Sequence, residues 1–376
     1  KTATDAFQGK IRRCMYHGTN EGNPTVRAFE KMIARGEGGR FYNQYDALAT
    51  ASGMSAIDLL TRHLALSSEQ TKTPFEAREI VSSPYIYGGI YHYFANYLPT
   101  MGVVCKFVER PNDLDSWKQA ISKRTNFLFL ETPANPTSFV FDIDIAVEAA
   151  RWVNRPLVVD NTVATYILQR PLEQYANIVV DSVTKGINGA SSGLGGAIIG
   201  DRDFILSLRD GWGATVRPVM DPRTAKAMLS GLETVDVRLH SASLNASKIA
   251  EWLSMRSEVE QVNYPLLAPH RYRKIATRQM HGTGGPLLSF EIKGGKEAAW
   301  KWLNGAQRLI HAPHIGHSRT LAIHPATTTH WRVPEDVKIK LGITPSLIRI
   351  SAGTENEEEL TLLFEEMDHL FRLAGK

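Results

Sequence analysis

Asp160 and Lys185 are the two side chains whose setting points to chemistry. Each follows a short apolar run, at 156–159 and 177–180, of the kind that makes a buried strand in a parallel sheet. Polar residues follow at once: Asp160-Asn161-Thr162 after the first run, Asp181-Ser182-Val183-Thr184-Lys185-Gly186 after the second. Ligands of open α/β sheets sit beyond the carboxyl ends of the strands, so both side chains are expected to enter one crevice. A lysine amine forms an imine with an aldehyde, and a carboxylate keeps a neighbouring ring nitrogen protonated so that the ring accepts electrons. Pyridoxal phosphate uses both. The hydroxyls of Ser182 and Thr184 suit a phosphate, and Gly193-Leu194-Gly195-Gly196 lets the backbone pass close by. A strand-end Asp or a following Lys is, by itself, an ordinary surface residue; the combined string is far more specific.

Other stretches must supply the walls. Ser52-Gly53-Met54 opens a helix that continues through Leu59, Leu60 and Leu64, and a helix N-terminus offers free N–H groups to a phosphate, although a plain Ser cap explains it equally. Tyr87-Gly88-Gly89 opens another helix after a strand at 79–83; Tyr91 and Tyr93 read as core aromatics. Strands are expected at 103–108 and 126–130, with a Pro-restricted turn, Glu131 to Pro136, at the sheet edge. A helix follows at 142–152. Near the C-terminus Arg349 lies in an apolar strand and has little structural reason to be there without a partner. Its planar fork matches a carboxylate. His324 and His330 could be read as metal ligands, but no acid or Cys completes a set, so a loop-ordering role is expected and no metal.

Asp160-Asn161-Thr162 with Ser182-Val183-Thr184-Lys185-Gly186 resembles the Cys/Met-metabolism family of pyridoxal-phosphate enzymes, which includes cystathionine synthases and lyases, methionine γ-lyase and O-acetylhomoserine sulfhydrylase. The resemblance runs from about Asn23 to the C-terminus. It implies that Lys185 binds the cofactor covalently and then acts as acid and base, that Asp160 faces the ring nitrogen, and that Tyr87 stacks on the ring and assists proton transfer. Ser52, Gly53 and Met54 match the family's phosphate cup, with Thr162, Ser182 and Thr184 also at the cofactor. Arg349 matches the arginine that takes the substrate α-carboxylate, with Asn161, His314 and Thr329 on the substrate side. His314-Ile315-Gly316 followed by Ile323 to His330 resembles the sulfhydrylase branch, with its N-x-G and I-H-P-A-x-T-T-H.

The resemblance has gaps. The family's N-terminal arm carries Tyr-x-Arg-x-x-Asn-Pro-Thr; counting back from Asn23-Pro24-Thr25, the Tyr and Arg positions hold Gly18 and Asn20. Gly189-Ala190 stands for Gly-His, His314 for Asn or Ser, and Arg217 for a small residue. Arg217, and after it Arg40, are the cations expected to replace the lost phosphate contact.

The implied fold is the type I pyridoxal-phosphate α/β fold: an arm at 1–44 reaching the partner subunit, a cofactor-binding domain at 45–235 with a mostly parallel sheet and helices on both faces, and a smaller α+β domain at 236–376. A long helix from Asp221 to about Arg256 should join them, and the first helix should be capped by Thr25, with Ala28, Phe29, Met32 and Ile33 on its inner face. The implied reaction is γ-replacement on an activated homoserine-type amino acid through a vinylglycine-type intermediate, with an altered substrate or nucleophile. Alternatives are a γ- or β-lyase of sulfur amino acids and a cofactor-binding protein without turnover. The 376 residues carry a net charge of only +4 with scattered Lys and Arg, which speaks against nucleic acid. No apolar run reaches membrane-spanning length. Cys14 and Cys105 define no disulfide framework, and a cytoplasmic homodimer or homotetramer is the expectation.

Overall fold

The computed structural model describes residues 23–66, 78–216, 218–267 and 272–375. The first sheet has seven strands: β1 (Tyr45–Thr50), β2 (Arg78–Ser82), β3 (Val103–Phe107), β4 (Thr125–Glu131), β5 (Leu157–Asp160), β6 (Ile178–Asp181) and β7 (Gly196–Asp201). Their spatial order is β1-β7-β6-β5-β4-β2-β3. Strands β2 to β6 are parallel to one another, and β7 runs antiparallel to both β6 and β1. The interior strands β4, β5 and β6 are buried along their whole length, which is why they read as unbroken apolar runs. Alternation along β6 sends Val179 to one core, with Phe29, Ile33 and Met228, and Ile178 and Val180 to another, with Ile57, Leu60 and Phe129.

A second sheet holds β8 (Val259–Asn263), β9 (Leu287–Ile292), β10 (Ile310–His311), β11 (Leu321–Ile323) and β12 (Leu347–Ser351), in the order β10-β11-β12-β9-β8. Phe290, Trp302 and Phe371 pack it against the helices Val235–Ser254, Gly295–Asn304 and Glu357–Ala374. No helix among the described residues is long and apolar enough to cross a membrane.

Three local expectations need correction. The first helix spans Pro24–Gly38 and is capped by Asn23, whose Oδ1 accepts from Thr25 N, so Thr25 is inside it. Its inner face is therefore Val26, Phe29, Glu30, Ile33 and Ala34, while Ala28 and Met32 are exposed. The single helix expected from Asp221 is two, Pro222–Leu232 and Val235–Ser254. The helix Pro222–Leu232 packs its end on the turn after β6, where a Cβ at Gly231 would lie 2.2 Å from the Ile187 carbonyl. The 131–136 turn leaves an interior strand, not the sheet edge.

Candidate active site

Strand register sets the chemistry in place. Glu131 ends β4 directly beside Asp160 at the end of β5, and Asp181 ends the adjacent β6. Asp160 is buried and has no cation in contact among the described residues; burial pushes its carboxyl up to about 6 against the pull of hydrogen bonds from Thr162, whose N–H lies 3.0 Å from Oδ1. Glu131, raised further by burial and by Asp160, accepts from the backbone N–H of Tyr87 at 2.6 Å and of Asn135 at 3.0 Å.

Lys185 sits in the turn that follows β6. That turn is gripped from two sides. Arg238 donates to the carbonyls of Gly186 and Ile187 at 2.7 and 2.9 Å. Gly316 presses on it from the other side with φ +72°, where a Cβ would lie 2.5 Å from Gly186 N. Burial, with the Arg349 charge nearby, brings the Lys185 ammonium down to about 8. Its Nζ lies 3.3 Å from His314 Nδ1.

The helix Gly53–Thr61 brings its N-terminus against Ser182: a Cβ at Gly53 would sit 2.7 Å from Ser182 Cβ, and one at Gly196 would sit 2.3 Å from Ser52 O. These two glycines let Ser52, Gly53, Met54 and Ser182 crowd one end of the crevice. Thr184 faces the same crevice, but its hydroxyl is engaged by Gly195, donating to O at 3.1 Å and accepting from N at 2.9 Å.

A cavity of about 360 Å³ is lined by eleven of the thirteen residues expected from the sequence: Ser52, Gly53, Met54, Tyr87, Asp160, Thr162, Ser182, Thr184, Lys185, His314 and Thr329. Arg349 stands just behind its wall. It is fully buried, donating to Asn135 Oδ1 at 3.1 Å and to the His314 carbonyl at 2.8 Å, with Nε unpartnered. Burial lowers it to about 9, and no described carboxylate pairs with it. Asn161 departs from expectation. It does not line the cavity; its amide donates to Glu37 at 3.0 Å and to the Gln169 carbonyl at 3.0 Å and accepts from Gln169 Nε2 at 3.0 Å. The chain turns after Asp160, so successive side chains part and Asn161 faces the core behind the site.

That core holds a feature the sequence did not reveal. Glu37 and Asp181 are buried beside one another: burial and the Asp181 charge raise Glu37, while burial, with the Asp160 charge and against the pull of Glu37, brings Asp181 up to about 7. The other residues missed are Glu131, Asn135 and Arg238, all anchors rather than reactive groups. Glu131 and Asn135 were visible in the 131–136 turn; Arg238 had no signal, because a helical arginine names no partner. His324 binds Thr327 Oγ1 at 2.7 Å and the Pro345 carbonyl at 2.8 Å, and His330 binds Thr329 Oγ1 at 2.9 Å, both ordering the loop around Thr329. Of the two cations expected at the phosphate, Arg217 lies outside the described residues, as do Gly18 and Asn20; Arg40 is exposed over the Phe41 ring and does not line the cavity.

The residues fit pyridoxal phosphate. Asp160 lacks the counter-cation that a protonated ring nitrogen supplies, the lysine amine is made available by burial, and the close approach at Gly53 sets the N-terminus of a helix beside Ser182, a setting suited to a phosphate.

Comparison with known proteins agrees. The sequence profile described as "Cys/Met metabolism PLP-dependent enzyme" matches residues 1–366. The chain is 34% identical over 363 residues to the O-succinylhomoserine sulfhydrylase of Pseudomonas aeruginosa, covering 96% of this chain and 85% of the relative. It is 35% identical to the L-methionine gamma-lyase of Fusobacterium nucleatum subsp. polymorphum, covering 93% and 85%. The crystal structure of cystathionine gamma synthase from Xanthomonas oryzae pv. oryzae, in complex with aminoacrylate and cysteine, superposes with a TM-score of 0.86 at 30% identity, over 95% of this chain and 88% of that one.

Proposed function

This chain belongs to the Cys/Met-metabolism family of PLP-dependent enzymes, and from that premise we propose that it catalyses γ-replacement on an activated homoserine-type amino acid. The observation that carries the amino-acid half of this reading is Arg349: a fully buried guanidinium held by two neutral oxygens, one nitrogen free, beside the cavity that holds Lys185. Such a cation is costly unless an anion reaches it, and an α-carboxylate has the matching planar shape.

Bound there, pyridoxal phosphate withdraws electrons from the substrate Cα and so acidifies the Cα and Cβ protons. Lys185 would hold it covalently, with Asp160 at the ring nitrogen, Gly53, Met54, Ser52 and Ser182 at the phosphate, and Tyr87 over the ring. Thr162 steadies Asp160 through its backbone N–H. Lys185, brought down to about 8, exchanges protons near neutral pH. Thr329 and His314 close the substrate side, where the buried apolar Val163 and Ile315 also line the cavity. An imidazole where the family keeps Asn or Ser supports an altered substrate or nucleophile.

The second reading is γ- or β-elimination, favoured by the equal likeness to a γ-lyase. O-acetyl- or O-succinylhomoserine supplied with and without sulfide separates the two. A new amino acid means replacement; a keto acid and ammonia without incorporated sulfur mean elimination. The working unit in this reading is a cytoplasmic homodimer or dimer of dimers. A monomer retaining full activity in light scattering would remove that part.

A further inference from the structure

The helix Val235–Ser254 reaches both the Lys185 turn and the chain after β12 without lining the cavity. Near its start, Arg238 spreads its guanidinium over the turn, donating to the carbonyls of Gly186, Ile187 and Gly231 at 2.7, 2.9 and 2.8 Å and to Thr234 Oγ1 at 3.0 Å. No carboxylate pairs with it among the described residues, and burial lowers its proton affinity. Its charge is therefore a cost, and the position uses its fork of donors. Leu239 closes on the same turn, where a Cβ at Gly186 would meet its Cδ2 at 3.3 Å. Seven residues beyond Arg238, the buried Asn245 donates to the carbonyls of Gly353 and Glu355 at 3.1 and 2.9 Å. Those carbonyls belong to the chain leaving β12, the strand of Arg349. Seven residues are two helical turns, so Arg238 and Asn245 share a face and stand about 10 Å apart along the axis. The carbonyls of Gly186, Ile187, Gly353 and Glu355 lie outside helices and strands, so each grip fixes main chain that no ladder holds.

We propose that this helix is the spacer that sets the span between Lys185 and Arg349, with Arg238 and Asn245 as positioning residues at its two grips. The proposal rests on the reading above, in which Lys185 holds the cofactor and Arg349 the α-carboxylate. A bound amino acid then stretches from the point where its amine replaces that of Lys185 to the Arg349 guanidinium. In an α-amino acid one carbon separates amine from carboxylate, so a rigid span selects that length. Misplacement on the order of 1 Å costs about 10²-fold in rate. Two further contacts cross the same gap, Arg349 to Asn135 and Gly316 against Gly186. The helix joins the two segments through one continuous hydrogen-bonded rod, which resists shortening and bending as a loop does not.

A pair of isomers tests this. L-2-Aminobutyrate and 3-aminobutyrate have the same atoms, but in the second the amine and carboxylate are one carbon further apart. Each is titrated into holoenzyme and followed by the cofactor's visible absorption. Wild type should bind the 2-isomer about 10–200-fold more tightly, the usual worth of one misplaced methylene. In Arg238→Met and in Asn245→Ala the ratio should fall towards one. Because the ratio is taken within each protein, loss of folded enzyme cancels. A wild-type ratio kept in both variants overturns the spacer, whatever their stability. A wild type that responds to neither isomer overturns the reading of the site, and the spacer with it. Native-state hydrogen exchange of wild-type holoenzyme needs no variant. The bonded amides of Asn188 and Gly189 in the Lys185 turn should open together with those of the helix between Arg238 and Asn245. A turn that opens while the helix stays closed overturns the proposal even if the variants fail to fold.

Discussion

Arg349 and Asn135 meet across 214 positions of sequence, guanidinium to amide oxygen at 3.1 Å, and the contact joins the second sheet to the turn that follows β4. Both partners are neutral or cationic, so the charge is left for something else to balance. Arg349→Ala is expected to weaken amino-acid binding by about 2–5 kcal/mol, the range for truncating one member of a buried charge pair. Spectral titration with substrate measures it. Because the Arg349 charge also depresses Lys185, the amine should titrate at higher pH in the variant. Unchanged affinity would move the carboxylate site elsewhere.

Lys185→Met gives a cleaner electrostatic test in the cofactor-free protein. The folded amine is brought down to about 8 from 10.5, so between those values the unfolded chain binds more protons. The cost of burying the ammonium is complete below pH 8 and disappears as pH approaches 10.5. The variant should therefore be more stable than wild type at pH 7, on the order of 1–3 kcal/mol, with the advantage gone at pH 10.5. Urea unfolding at both pH values decides it. The same variant should yield no cofactor-linked peptide after borohydride reduction.

Asp181→Asn follows the opposite sign. Burial, with the Asp160 charge, raises Asp181 from 3.8 to about 7, so its contribution is favourable below pH 4 and is lost as pH rises through 7. An amide avoids that loss and can donate to Glu37. Thermal melts of the cofactor-free variant are expected to lie above wild type at pH 8 and to converge with it near pH 4. A variant less stable at pH 8 would mean that the two carboxyls share a proton worth keeping.

Gly316→Ala should separate the His314 loop from the Lys185 turn. The backbone there has φ +72°, and the new Cβ would meet Gly186 N at 2.5 Å. Overpacking of this kind costs about 1–3 kcal/mol. Cofactor affinity and thermal stability should fall together; a variant with wild-type values would show that the two segments have room to part.

The crevice was legible because interior parallel strands must be apolar end to end, so their first polar residues, Asp160 and the Ser182–Lys185 string, mark the carboxyl edge. Arg349 was legible for the same reason, as a charge where β12 should be apolar. Asn161 was misread because neighbourhood in sequence is not neighbourhood in space: the chain turns after Asp160, and the amide faces Glu37, 124 positions away. Arg238 and the Glu37–Asp181 pair escaped notice because each is defined by a distant partner. The first helix begins two residues earlier than expected because Asn23 competes with Thr25 for the cap and wins by preceding Pro24.

The order of the site along the chain has a consequence for how the protein is made. Ser52, Tyr87, Asp160 and Lys185 are all translated well before Arg349, whose partner Asn135 precedes it by 214 residues. A ribosome-bound chain can complete strands β4 to β6, and the turn that carries Lys185, while Arg349 is still unsynthesised. The residues proposed for the cofactor thus precede in synthesis the arginine proposed for the substrate carboxylate, and no amino acid can be held in register before the last strand is laid down.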